Sequence, residues 1–270
     1  MHEKWVILNG KFCEEKDACI SVTDRGFLFG EGIFTTIRVS KGKCEFFQEH
    51  LQRLKRQIET LHMIWEPIDV QLVDALIERN QALSGFWRLK IIVTANEKEG
   101  KKRVGNVIIM MQRAEDFSFT PCTLCLFPYP IENPLSDIKS LSYLDHLYVR
   151  DYARKKGDDD AITQTTQGFL LETGCSNLFW VAEERCWIPD WRLPYLKGIF
   201  LQAIIPHLPL PIEWCRATID EIPSHASVYV CNSIIHIRPV LSIDQTLFPR
   251  NYEMENLLLQ AIVQALQGNH

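Results

Sequence analysis

At Glu49 the spacing of apolar residues changes, and this change restricts the folds open to the chain. Before it, Trp5-Val6-Ile7-Leu8 is followed by an Asn9-Gly10 turn signal and a second short segment, which predicts a hairpin. Phe34-Thr35-Thr36-Ile37-Arg38-Val39 is rich in β-formers, Ser40-Lys41-Gly42-Lys43 supplies a turn, and Cys44-Glu45-Phe46-Phe47 predicts the returning strand. After it, Leu51, Leu54, Ile58 and Leu61 lie three to four residues apart, so one face of a helix is apolar. A second helix is expected around Leu72, Val73, Leu76 and Ile77, then strands at 89–94 and 107–111. That order predicts a mainly antiparallel sheet with helices, an α+β unit covering 1–115.

Residues 116–121 read as a linker, and 122–270 as a second domain. It opens on a strand at 122–127 and carries a helix at 144–156 ended by Gly157. Strands follow at 161–164, 169–172 and 177–181, then a short helix from Gly198, strands at Ile212 and Val228, and an amphipathic helix at 252–266. Asp158-Asp159-Asp160 reads as a solvated loop, because three consecutive carboxylates cannot all face one ion.

With 270 residues, 46% hydrophobic and 23% charged, the chain has ordinary globular composition. A net charge of -5 gives no basic footprint for nucleic acid, and no apolar run approaches the roughly eighteen residues needed to span a bilayer. The start Met1-His2-Glu3-Lys4 lacks a signal-peptide pattern, so a cytoplasmic protein is expected. Nine unevenly spaced cysteines argue for reduced thiols; Cys122 and Cys125 match C-x-x-C but have no second pair to complete a zinc site, and no metal is expected.

Three segments carry chemistry. Lys139 stands in Asp137-Ile138-Lys139-Ser140-Leu141, some thirty residues before Glu172-Thr173-Gly174-Cys175-Ser176-Asn177-Leu178-Phe179; Asp24-Arg25-Gly26-Phe27-Leu28-Phe29-Gly30-Glu31-Gly32 lies near the start. A lysine and a strand-end carboxylate suit pyridoxal phosphate, whose aldehyde condenses with an amine and whose ring nitrogen needs a charged partner. Lys90, Lys155, Lys156 and Lys197 have no comparable context.

Together these segments, in order over about 5–240, resemble the fold-type IV pyridoxal phosphate enzymes, which include branched-chain and D-amino-acid transaminases and aminodeoxychorismate lyase. The resemblance implies a small N-terminal domain, a larger C-terminal pseudo-barrel domain with the cofactor between them, a small amino substrate and a homodimer. It implies that Lys139 is the catalytic amine and general base, and that Glu172 partners the ring nitrogen, with Thr173 replacing the usual glycine. In Glu49-His50-Leu51-Gln52-Arg53-Leu54, Arg53 matches the family's phosphate-contacting arginine, while His50 reads as a structural hydrogen-bonding residue. Gly198-Ile199-Phe200 resembles the family's G-I-T at a helix start, where Ile199 and Phe200 can offer backbone N–H groups but Phe200 lacks the hydroxyl. Asn232 and Ser233 complete the expected cofactor set.

Gly32-Ile33-Phe34-Thr35-Thr36-Ile37-Arg38-Val39 looks most like the lyases, whereas the transaminases commonly carry Tyr and Glu in this stretch. The expected activity is conversion of 4-amino-4-deoxychorismate to 4-aminobenzoate and pyruvate, in folate biosynthesis, with Phe34, Thr35, Thr36 and Arg38 facing the substrate. The alternative is a transaminase of D-amino or branched-chain amino acids. One departure stands out: an arginine-glycine pair that relatives use for substrate carboxylates is Ala95-Asn96 here, leaving Lys98, Lys101, Lys102 and Arg103 as candidate cations.

Overall fold

A computed structural model describes residues 4–95 and 105–268, in two compact units: 1–116 with 138–143, and 117–137 with 144–270. The chain thus passes from the first unit to the second at 116/117, and the short segment around Lys139 returns to the first. Lys98, Lys101, Lys102 and Arg103 lie outside the described residues.

In the first unit, β1 (Trp5–Leu8) and β2 (Lys11–Glu14) form the expected hairpin, its turn using positive φ at Asn9 and Gly10. The short helix α1 (Arg25–Phe29) has no periodic signal in the sequence; it is set by Asp24, whose buried carboxylate caps Phe27 N and also accepts from Thr94 Oγ1 and Asn106 Nδ2, both at 2.7 Å. β3 (Gly32–Ser40) is followed by β4 (Lys43–Cys44), which is shorter than the expected return strand because Phe46 adopts φ 53° and starts α2 (Phe47–Thr60). Then come α3 (Val70–Arg79), capped by Asp69, and strands β5 (Phe86–Thr94) and β6 (Val107–Ala114). The sheet runs β2-β1-β6-β5-β3-β4, antiparallel throughout. Ile33, Ile37, Val39, Leu89 and Ile91 pack with Leu54, Ile58, Val73 and Leu76 of the helices, so one sheet face is covered by α2 and α3.

The second unit contains β7 (Cys122–Leu126), α4 (Leu144–Lys156), β8 (Asp160–Gln164), β9 (Leu170–Thr173), β10 (Asn177–Ala182), β11 (Arg185–Pro189), α5 (Ile199–Ile204), β12 (Ile212–Cys215), β13 (Ser227–Asn232), β14 (His236–Ile243), β15 (Thr246–Leu247) and α6 (Tyr252–Gln267). Its strands run β12-β11-β10-β13-β14-β7-β8-β9, and β9 also pairs with β10 through Glu172 and Asn177. The six strands from β10 to β9 therefore close into a barrel, and a closed sheet has no exposed edge between them. The Asp158-Asp159-Asp160 run is not simply a solvated loop: Asp159 accepts from Thr123 N and pairs with Arg238, while Asp160 is buried in β8. Among the described residues, no helix is long and apolar enough to cross a membrane.

Candidate active site

Lys139 is held against β3 by backbone pairing. Phe34 N donates to Lys139 O at 2.9 Å, Leu141 N donates to Gly32 O at 2.9 Å, and Ser140 bridges Ile33. Gly32 makes this approach possible, since a Cβ there would meet Leu141 Cδ1 and Val93 O at 2.6 Å. The Lys139 Nζ lies 4.9 Å from the Phe34 ring centroid and 5.5 Å from that of Tyr143. The two rings meet edge to face at 5.3 Å, giving the ammonium an aromatic wall.

Strand alternation separates the four expected substrate residues. Ile33, Ile37 and Val39 face the helices, so Thr35 does too, while Phe34, Thr36 and Arg38 occupy the other face. Thr35 is buried and its Oγ1 lies 2.6 Å from His50 Nδ1 and accepts from an Arg53 Nη at 2.9 Å. It supports α2 rather than facing the side of β3 that carries Phe34. Arg38 is likewise committed elsewhere: it pairs with Glu45 at 3.6 Å and Asp116 at 3.1 Å, with its guanidinium 4.0 Å from the Phe86 ring centroid. Its charge is already matched by two carboxylates.

Arg53 is buried, and burial with Arg56 nearby brings its pKa down to about 10, so it keeps its charge at neutral pH. Its Nε has no hydrogen-bond partner among the described residues, nor does His50 Nε2. A buried cation with an unsatisfied donor fits an anion such as a phosphate. His50 is held well below its ordinary pKa by burial, with Arg53 and Lys139 adding to the effect.

In the second unit, Glu172 sits at the end of β9, where Oε1 accepts from Leu196 N at 3.0 Å and its backbone carbonyl accepts from Thr163 Oγ1 at 2.8 Å. Thr173, the departure from the family glycine, closes the following turn with its side chain: Oγ1 donates to Asp160 Oδ2 at 2.8 Å and accepts from Ser176 N at 3.0 Å. Asn177 is a residue whose role sequence reasoning missed, although it lies inside the quoted motif. It donates to Leu196 O at 2.8 Å and accepts from Gly198 N at 3.0 Å, fixing the start of α5. A Cβ on Gly198 would fall 2.0 Å from Asn177 Oδ1.

Gly198 caps α5 without a side-chain hydrogen bond, so Ile199 and Phe200 begin the helix with backbone N–H groups suited to an anion. The Phe200 ring stacks on His236 at 4.9 Å, which explains how a residue without the family hydroxyl is accommodated. Asn232 uses its whole side chain locally: Nδ2 donates to Cys175 O and Ser176 Oγ, and Oδ1 accepts from Ile234 N and Ile235 N. With both donors and both acceptor sites engaged, Asn232 shapes the turn that presents Ser233 rather than offering its amide to a ligand.

An antiparallel α+β unit and a unit built on a closed barrel are the two parts of the fold-type IV architecture. The family model for class IV amino-transferases matches residues 32–243, and the chain belongs to that family. It is accordingly a pyridoxal-phosphate-dependent enzyme. Over 253 residues it is 26% identical to a Methanocaldococcus jannaschii protein assigned as a branched-chain-amino-acid aminotransferase, covering 88% of each chain. It is 25% identical over 269 residues to the aminodeoxychorismate lyase of Bacillus subtilis, covering 89% of this chain and 87% of the relative. In fold it matches the branched-chain aminotransferase of Thermoproteus uzoniensis with a TM-score of 0.87 at 18% identity, covering 98% of this chain and 95% of the other.

Proposed function

We propose that the chain is a 4-amino-4-deoxychorismate lyase, forming 4-aminobenzoate and pyruvate. The observation that carries this reading is the face of β3 beside Lys139. It presents Phe34 and Thr36, without the phenol and carboxylate that transaminases commonly place in this stretch. The similarity to the Bacillus subtilis lyase supports it.

Arg53, the first backbone N–H groups of α5 at Ile199 and Phe200, and the Ser233 hydroxyl would hold the cofactor phosphate. Glu172, fixed by Leu196 N, would keep a proton on the ring nitrogen. When bound, pyridoxal phosphate supplies a cationic ring that accepts the electron pair left at the amine-bearing carbon. Lys139 takes the proton from that carbon, acting at short range as a general base, and Phe34 and Tyr143 restrict its position. Thr36 offers a hydroxyl on the same face. Loss of the enolpyruvyl group aromatises the substrate ring, which makes the elimination favourable. The exposed apolar side chains of Phe27, Leu28 and Phe29 support the homodimer that belongs to this reading, in the cytoplasm.

The similarity to the Methanocaldococcus jannaschii protein favours a second reading, transamination, in which Lys139 would return the proton to the cofactor carbon. One assay separates the two. Enzyme mixed with aminodeoxychorismate should release 4-aminobenzoate and pyruvate in equal amounts. No release, alongside keto-acid formation from D-alanine or a branched-chain amino acid, would give the function to the transaminase.

A further inference from the structure

An anionic amino substrate needs a cation, and several candidates among the described residues of the first unit do not supply one. Ala95 carries no charge and is buried, its N–H donating to Glu31 O at 2.8 Å. Arg38 is bound to Glu45 and Asp116. Arg88, opposite Arg38 on β5, is exposed. Lys90 differs from all of these.

Lys90 lies on β5 directly across from Thr36, so both side chains occupy the sheet face away from the helices. Its Nζ is 4.4 Å from the Phe34 ring centroid, the same ring that has Lys139 Nζ at 4.9 Å. Two ammonium groups therefore share one aromatic ring, and Thr36 lies on the same strand face. Lys90 is half-buried and has no carboxylate partner among the described residues. Withdrawal from water lowers its pKa, the sign that its charge is incompletely compensated in the chain itself. A carboxylate arriving at Phe34 would restore that compensation, and Thr36 could donate to the same group.

We propose that Lys90 receives a carboxylate of the amino substrate and so determines the preference for amino acids over simple amines. The proposal rests on Lys139 being the reacting amine; it holds for either reaction proposed above. Lys90 would act on binding, while Lys139 would act on the proton.

The test uses the holoenzyme and the variants Lys90→Met and Lys90→Arg, each first shown to retain the visible absorbance of its cofactor. Three pairs of probes are titrated against that absorbance: 4-aminobenzoate and aniline, D-alanine and ethylamine, L-leucine and isoamylamine. In the parent enzyme the carboxylate of at least one pair should bind about tenfold or more tightly than its amine, as expected for a charge-assisted contact. Lys90→Met should bring that pair within about twofold, and Lys90→Arg should keep most of the preference. In turnover, Lys90→Met should raise KM by roughly 10- to 100-fold with kcat nearly unchanged, the pattern of a lost uniform binding contact. An intact preference in Lys90→Met, or no preference in any pair for the parent enzyme, overturns the proposal. The pair that shows the preference reports separately on lyase against transaminase, so failure of that reading is distinguishable from failure of the role of Lys90.

Discussion

Thr35 Oγ1 and His50 Nδ1 lie 2.6 Å apart in a buried pocket between β3 and α2, and Arg53 donates to the same hydroxyl at 2.9 Å. The hydroxyl accepts from Arg53 and shares a further hydrogen bond with Nδ1, whose direction follows the imidazole tautomer. The hydroxyl therefore positions both the neutral histidine and the buried guanidinium. Thr35→Val should cost about 1–3 kcal/mol of stability, measured by urea unfolding, and should loosen cofactor binding. Unchanged values of both would mean that Arg53 is held by other contacts.

His50 makes stability depend on pH. Its folded pKa lies well below the ordinary 6.5, so between those values the unfolded chain binds a proton that the native chain does not. Stability is undiminished by this group above the unfolded pKa. It falls as pH drops below it, by up to about 1.4 kcal/mol per pH unit, until the folded pKa is reached. Unfolding free energies measured from pH 7 to pH 5 should show this slope, and His50→Gln should flatten it.

Lys139 should be the only lysine that carries a pyridoxyl group after borohydride reduction and peptide mapping. Lys139→Ala should abolish turnover rather than merely raise KM, since proton transfer is lost. Label on Lys90, which shares the Phe34 ring with it, would reassign the two amines.

The β-hairpin at the start and the helices α2, α4 and α6 were legible because apolar period and turn residues agree locally. α1 was not, because its five residues are organised by Asp24 through contacts with Thr94 and Asn106, far along the chain. Lys139, Arg53 and Glu172 were singled out in the sequence by their motifs. Their surroundings were not legible there: Thr35 and Thr36 lie on opposite faces of β3, and only the folded sheet shows that the Thr35 face packs on the helices while the other carries Phe34 and Thr36. Lys90 had no motif at all. Its position emerges when β5 is aligned with β3.

Thr173→Gly would restore the family residue while removing the hydroxyl that donates to Asp160 and accepts from Ser176 N. Asp160 would lose one donor in a buried setting and the turn would gain backbone freedom. A loss of about 1–3 kcal/mol is expected by denaturant unfolding. If the variant were as stable as the parent, the turn would be held by its backbone alone.

Glu172 and Arg53 should fail in different ways when altered, because the proposed function puts one at the ring nitrogen and the other at the phosphate. Glu172→Gln keeps a side-chain oxygen that can accept from Leu196 N, so the strand end and the start of α5 should survive. It removes the negative charge that would hold the ring-nitrogen proton, and turnover should fall about 100-fold or more while the cofactor stays bound. Arg53→Ala removes a buried cation and its contact with Thr35, so the cofactor dissociation constant should rise first. Dissociation constants from absorbance titration and rates at saturating cofactor measure the two effects separately. Full activity in Glu172→Gln would end its assignment to the ring nitrogen, and unchanged cofactor affinity in Arg53→Ala would move the phosphate to the start of α5 alone.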